Sequence, residues 1–175
     1  MNISQYLQKG HTKKRTLAVG KFVGKDASRF NEIVKLVIGK DELIAQRAAW
    51  VLGIHGEKNP TLVVPHLNKL IPRLGMSVHN GVKRNILRVL QYLKIPEKFE
   101  SAVVSQCFDL LLSSEEPPAV KAFSITVIVN LSKKYPDLLQ ELNAWFEHNK
   151  SVASKAEFKR MARAGFLNPG IKKPE

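Results

Sequence analysis

Apolar residues recur through the middle of this chain at offsets of three, four, seven, eight and eleven, the row that one face of an α-helix presents. The row itself repeats. With Ala45, Val82 and Val120 as zero positions, 37 and 38 residues apart, the position twelve earlier holds Ile33, Leu70 and Phe108. The position eight earlier holds Val37, Leu74 and Leu112. Going forward, the third position holds Ala48, Asn85 and Phe123, the seventh Leu52, Val89 and Val127, and the eleventh Gly56, Leu93 and Leu131. Asn85 is the one polar residue in these columns. Each unit therefore reads as two amphipathic helices joined by a short turn, and because one helix pair cannot bury its own stripe, the units must stack.

Boundary residues divide the chain at matching intervals. Asp26 and Asp41 can cap helices, Asn59 before Pro60 reads as an N-cap with proline in the first turn, and Pro96 ends the helix before it. Ser113 to Pro118 reads as a loop, Pro136 opens another helix, and Ser154 with Glu157 has capping-box spacing. Asn168, Pro169 and Gly170 then stop the chain. The helix pairs fall at 27–38 with 41–56, 60–74 with 79–94, 97–112 with 117–134, and 136–149 with 154–167. The fourth pair fits the period less well, since Glu157 occupies its third position, as expected of a terminal repeat with a wet outer face. Residues 1–25 suggest two further helical pieces that lie off the period and form a basic N-terminal cap, and 168–175 reads as a tail.

The stretches LNKLIPRLG, VKRNILRVLQYL and VKAFSITVIVNL, with RAAWVLG at Arg47 to Gly53, resemble the HEAT repeat, a pair of antiparallel helices with a basic residue near the start of the second. The resemblance spans residues 27–167, although only Pro65 matches the proline frequent in the family's first helix. It implies a single all-α domain over 1–175, an armadillo-like α-α superhelix of four to five helix pairs whose second helices line the concave face. Members of such a family mostly bind proteins or nucleic acid there, and a few, the DNA alkylation repair glycosylases, are enzymes.

Composition narrows the class. With 175 residues and 44% hydrophobic content the chain can bury a core, and a single cysteine, Cys107, leaves no internal disulfide or thiolate zinc site. The N-terminal residues lack the apolar run of a signal peptide, and no stretch approaches the roughly 20 apolar residues of a membrane span. A cytoplasmic protein is expected.

Charge sorts with the repeat. The net charge is +13, and the second helices of the four pairs carry −1, +4, +3 and +3 while the first carry +1, +2, −2 and −3. From Lys58 to Lys94 there are seven basic residues and no acidic one, and residues 1–25 and 158–173 are also acid-free, with six and five. Positions two and six of the second helices, which point away from the apolar stripe, hold Arg47, Arg84 and Arg88, with Lys83 and Lys121 at position one. Exposed lysines and arginines occur on any soluble helix. The like-charged Arg84 and Arg88, four apart, nevertheless repel by a few tenths of a kcal/mol, a cost that an anionic partner offsets.

No catalytic constellation accompanies this stripe. The five histidines, at 11, 55, 66, 79 and 148, lack ligand spacing, so no metal is expected, and His55 and His66 read as packing or capping residues. GKFVGK at Gly20 to Lys25 only superficially resembles a phosphate loop: its glycines are too close and Asp26 stands where Ser or Thr belongs. A HEAT-like glycosylase needs an aromatic pocket and a carboxylate. Trp50, Tyr92 and Trp145 are the candidate aromatics, but Trp50 shares a column with Leu87 and Ile125 and reads as packing, and the nearest carboxylates are Asp41 and Glu42 at the edge. The expectation is a non-enzymatic scaffold without cofactor whose basic face, Arg47, Lys83, Arg84, Arg88 and Lys121, holds an acidic protein segment or nucleic acid; a repair glycosylase is the alternative.

Overall fold

The computed structural model describes residues 1–165, and these are helical throughout, with no strand among them. Its elements are α1 (Ile3–Gln8), α2 (Lys13–Val23), α3 (Ala27–Val37), α4 (Glu42–Lys58), α5 (Pro60–Val63), α6 (Leu67–Leu70), α7 (Asn80–Leu90), α8 (Glu97–Leu112), α9 (Pro118–Ser132), α10 (Asp137–Asn149) and α11 (Lys155–Arg163). The chain divides by packing into two compact units, Met1–Phe99 and the residues from Glu100 onward. The predicted stop at Asn168 to Gly170 and the tail lie outside the described residues.

Local chemistry sets most ends as the sequence predicts. Asp26 accepts from the amides of Ser28 and Arg29, and Asp41 from that of Ile44, each covering free N–H groups of a first turn. Those amides, Arg29's foremost, hold the Asp26 carboxyl below its ordinary range. Ser154 and Glu157 form the reciprocal capping box of α11. Asn59 differs. It stands at the N-cap of α5 without a side-chain capping bond, and its Nδ2 instead donates to the carbonyl of His55 at the end of α4. The amide has turned to the helix behind it.

The expected helix 60–74 is broken into α5, a 3₁₀ turn at Val64–His66, α6 and a second 3₁₀ segment at Ile71–Gly75. Pro65 and Pro72 explain the breaks, because each lacks the N–H that would close an i→i−4 bond and crowds the preceding carbonyl. The apolar column survives: Val63, Leu67, Leu70 and Leu74 stay buried.

Within the first unit α4 is the central element, packed against α1, α2, α3, α5 and α7. Phe30 is fully buried and its ring lies 6.3 Å from His55 and 6.0 Å from His66, so both histidines pack as expected. His55 also places Nε2 2.6 Å from the carbonyl of Gly24, a donor on the C-terminal end of α2. Gly24 takes φ +55°, a left-handed value at the end of α2, and Gly20 lies inside that helix against His55, so GKFVGK is a helix end and not a phosphate loop. Asn85, the polar exception among the columns, is buried against Gly53: its Nδ2 donates 2.7 Å to the carbonyl of Gly81, and a Cβ on residue 53 would collide with its carbonyl oxygen. The missing side chain of Gly53 lets α4 and α7 approach. Gln46 lies beside Gly81, Gly53 beside Asn85 and Gly56 beside Val89, so the two helices run in the same direction.

The second unit is built on α9, against which α10 and α11 pack. Phe146 is fully buried and meets Phe158 edge-on at 5.1 Å. Burying a phenylalanine of this kind is worth about 1.5–3 kcal/mol. Lys134 and Tyr135 both donate to Oε2 of Glu100, at 2.8 and 2.6 Å, joining α8 to the end of α9. One column member departs from expectation: Leu112, the last residue of α8, is exposed, and Leu111 is buried in its place.

Candidate binding face

Parallel packing of α4 and α7 puts the outer positions of both helices on the same side of the first unit, and the predicted cations there have different fates. Arg47 uses Nη1 to donate to the carbonyls of Leu7 and Gln8, at 2.7 and 2.9 Å. It thereby adds a donor to the carbonyls at the end of α1. Arg88 donates from Nε and Nη2 to Oε2 of Glu57, at 2.9 and 2.7 Å. Lys83 is buried and not on the outer face. Arg84 is exposed, with no hydrogen bond or ion pair among the described residues. Lys121 is half-buried on α9, in the other unit.

Two residues outside the predicted stripe join it. The loop between α1 and α2 lays the imidazole of His11 on the ring of Trp50, 4.7 Å between centroids and 20° between planes. Unlike its column partners Leu87 and Ile125, which are fully buried, Trp50 keeps part of its surface open. Desolvation, then the charges of Arg47 and Arg84 and the ring of His79, push the His11 pKa down from its ordinary value. His79 accepts the Gly81 amide at Nδ1, 3.0 Å. Sequence spacing could not find His11, because residues 1–25 lie off the repeat and the stack joins positions 39 apart.

The surroundings carry little negative charge. Residues 1–25 and α7 have no Asp or Glu, and on α4 the acids are Glu42 and Glu57, the latter paired with Arg88. Asp41 is engaged in capping. The charges of Arg47 and Arg84 both act on the His11 ring.

The other chemical groups are occupied structurally. Burial pushes the Cys107 thiol up to about 12, against a hydrogen bond with Ser124 that acts the other way, so at neutral pH it holds its proton and is no nucleophile. Among the described residues no three His, Cys, Asp or Glu side chains gather as metal ligands, and no helix is long and apolar enough to cross a membrane.

A family model described as a HEAT repeat domain matches residues 3–164, taking in the two N-terminal helices that lie off the period. No curated protein and no solved structure matches the chain.

Proposed function

Because the chain belongs to the HEAT repeat domain family, a family of helical binding scaffolds, we propose that it is a non-enzymatic module that holds nucleic acid on the α4–α7 face of its first unit. Arg84 carries this reading: an exposed guanidinium without an internal partner among the described residues, on a helix free of acidic residues that packs against the helix of Arg47. Two guanidiniums whose charges act on one imidazole raise the local positive potential, and a phosphate backbone relieves it while releasing its own counterions. Phosphate contacts of this kind position a strand without reading its sequence.

The absence of a catalytic role is part of the proposal. A glycosylase of the HEAT-like kind needs a carboxylate beside the extruded nucleotide, and Glu57, the acid that meets α7, is bound to Arg88.

Fluorescence anisotropy with a labelled generic duplex and a labelled single strand, at low and moderate salt, tests the reading. Binding at low salt that weakens with salt, and is weaker in Arg84→Glu, is the expected result. Failure to bind at low salt, or capture of an acidic peptide in preference to either strand, would remove nucleic acid as the partner. Incubation with duplex carrying alkylated purines should release no base, and release would restore the enzymatic alternative.

A further inference from the structure

We infer that His11, seated on Trp50 beside the α4–α7 seam that carries Arg47 and Arg84, completes a backbone-phosphate locus whose occupancy is coupled to protonation of the His11 ring; this rests on the nucleic-acid reading above. The imidazole is delivered by the loop between α1 and α2, and its position is fixed from two sides. Trp50 stacks under it at 4.7 Å, and Arg47 ties the end of α1, just before the loop, to α4 through the carbonyls of Leu7 and Gln8. The charged or titratable groups acting on the ring are Arg47 of α4, Arg84 of α7 and His79 at the N-cap of α7. All are cationic or neutral, and no acid occurs in residues 1–25 or in α7 to hold the proton in the free protein.

That arrangement has a direct chemical consequence. An empty locus discourages the imidazolium, first because the stacked ring is partly desolvated and then because a third positive charge would join two guanidiniums. A phosphodiester oxygen placed among them reverses the balance, giving Arg84 its first partner and the ring an acceptor for its second N–H. The imidazolium is also favoured over the indole face by the ring quadrupole, so Trp50 acts as a positioning residue for the protonated form. By linkage the strand binds the protonated protein more tightly. Affinity therefore rises as pH falls from the bound-state midpoint of His11 to its lower free-state midpoint, and levels off beyond either.

Imidazole NMR titrations with and without oligothymidine, whose charge is constant across this range, test the coupling; His11 is identified by the signal missing in His11→Gln. The expected result is an upward move of the His11 midpoint on binding, with affinity by anisotropy several-fold tighter at mildly acidic than at mildly alkaline pH. That pH dependence should vanish in His11→Gln and Trp50→Ala, return in Trp50→Phe, and persist in His148→Gln, with helical circular dichroism confirming that each variant folds. A His11 midpoint that stays fixed while the strand binds, or a pH dependence that survives His11→Gln, overturns this inference and leaves the nucleic-acid reading standing. No anisotropy change at low salt overturns both.

Discussion

Helices α7 and α9 hold the same place in successive repeats, yet their outer positions differ. Val82, Asn85 and Val89 of α7 and Val120, Val127 and Leu131 of α9 are buried. At positions two and six α7 carries Arg84 and Arg88, where α9 carries Ala122, buried, and Thr126, whose hydroxyl donates 3.2 Å to the carbonyl of Ala122. In α9 the polar groups Ser124 and Ser132 likewise bond back to their own helix, at 3.1 and 2.8 Å. On α4 the same two positions hold Arg47 and the buried Val51. Of these three helices α7 alone is cationic at both positions. Position two of α9 and position six of α4 are themselves buried, so of these helices α7 alone leaves both positions to charged side chains.

The contrast breaks first at the seam that sets α7 on α4. Gly53→Val forces a branched side chain into the oxygen of the buried Asn85. A cost of about 1–3 kcal/mol is expected, lowering the melting temperature by roughly 2–4 °C for each kcal/mol. A thermal melt unchanged from wild type would mean that the close approach of α4 and α7 is not what holds the face together.

A paired charge reversal separates the two helices directly. Arg84→Glu on α7 should weaken strand binding by roughly tenfold, about 1.4 kcal/mol, because it removes one phosphate contact and adds a repulsive charge. Lys121→Glu on α9 should leave affinity within about twofold. Equal losses in an anisotropy titration would assign the attraction to overall charge and remove the special status of α7.

Much of this frame is legible in the sequence, and the limits of that legibility have a common cause. The apolar columns follow from helix period alone, and the caps at Asp26, Asp41 and Ser154 from local hydrogen bonding. The break of the 60–74 segment needed the combined effect of Pro65 and Pro72, residues that individually only mark a possible kink. The commitments of the cations are invisible to spacing, because they join distant positions: Arg47 to carbonyls 39 and 40 residues away, Arg88 to an acid 31 away. Glu57 also lies just beyond the predicted end of its helix, so the helix-by-helix charge pattern omits it. Of the predicted stripe in the first unit, Arg47 and Arg84 act by their charge on one ring, Arg88 is paired and Lys83 is buried.

Removing the restraint on Arg88 sharpens the comparison from the other side. Its pair with Glu57 is about a third exposed, so Glu57→Gln should cost about 0.5–1 kcal/mol of stability after solvent screening. The same change releases a second cation on α7 and should tighten strand binding by about two- to threefold. Weaker binding in Glu57→Gln would show that the paired Arg88 is the form that matters.

The smallest effect belongs to the end of α9. Hydrogen bonds from Lys134, then Tyr135, hold the Glu100 carboxyl below its usual range. The folded pKa being lower than the unfolded one, this contribution to stability is fully present above the unfolded value and is lost as pH falls through the folded value. Glu100→Gln should therefore flatten the acid side of the stability profile, measured by urea unfolding, while strand affinity at neutral pH is unchanged. A parallel profile in the variant would place the acid sensitivity elsewhere.

The central claim, that the uncommitted cation of α7 makes this face a phosphate-binding surface, is met most directly by the dependence of affinity on salt. The logarithm of the association constant against the logarithm of salt concentration should fall linearly in wild type, and its slope should be shallower by about one in Arg84→Glu. Identical slopes in the two proteins, or no measurable association at low salt, would contradict the account.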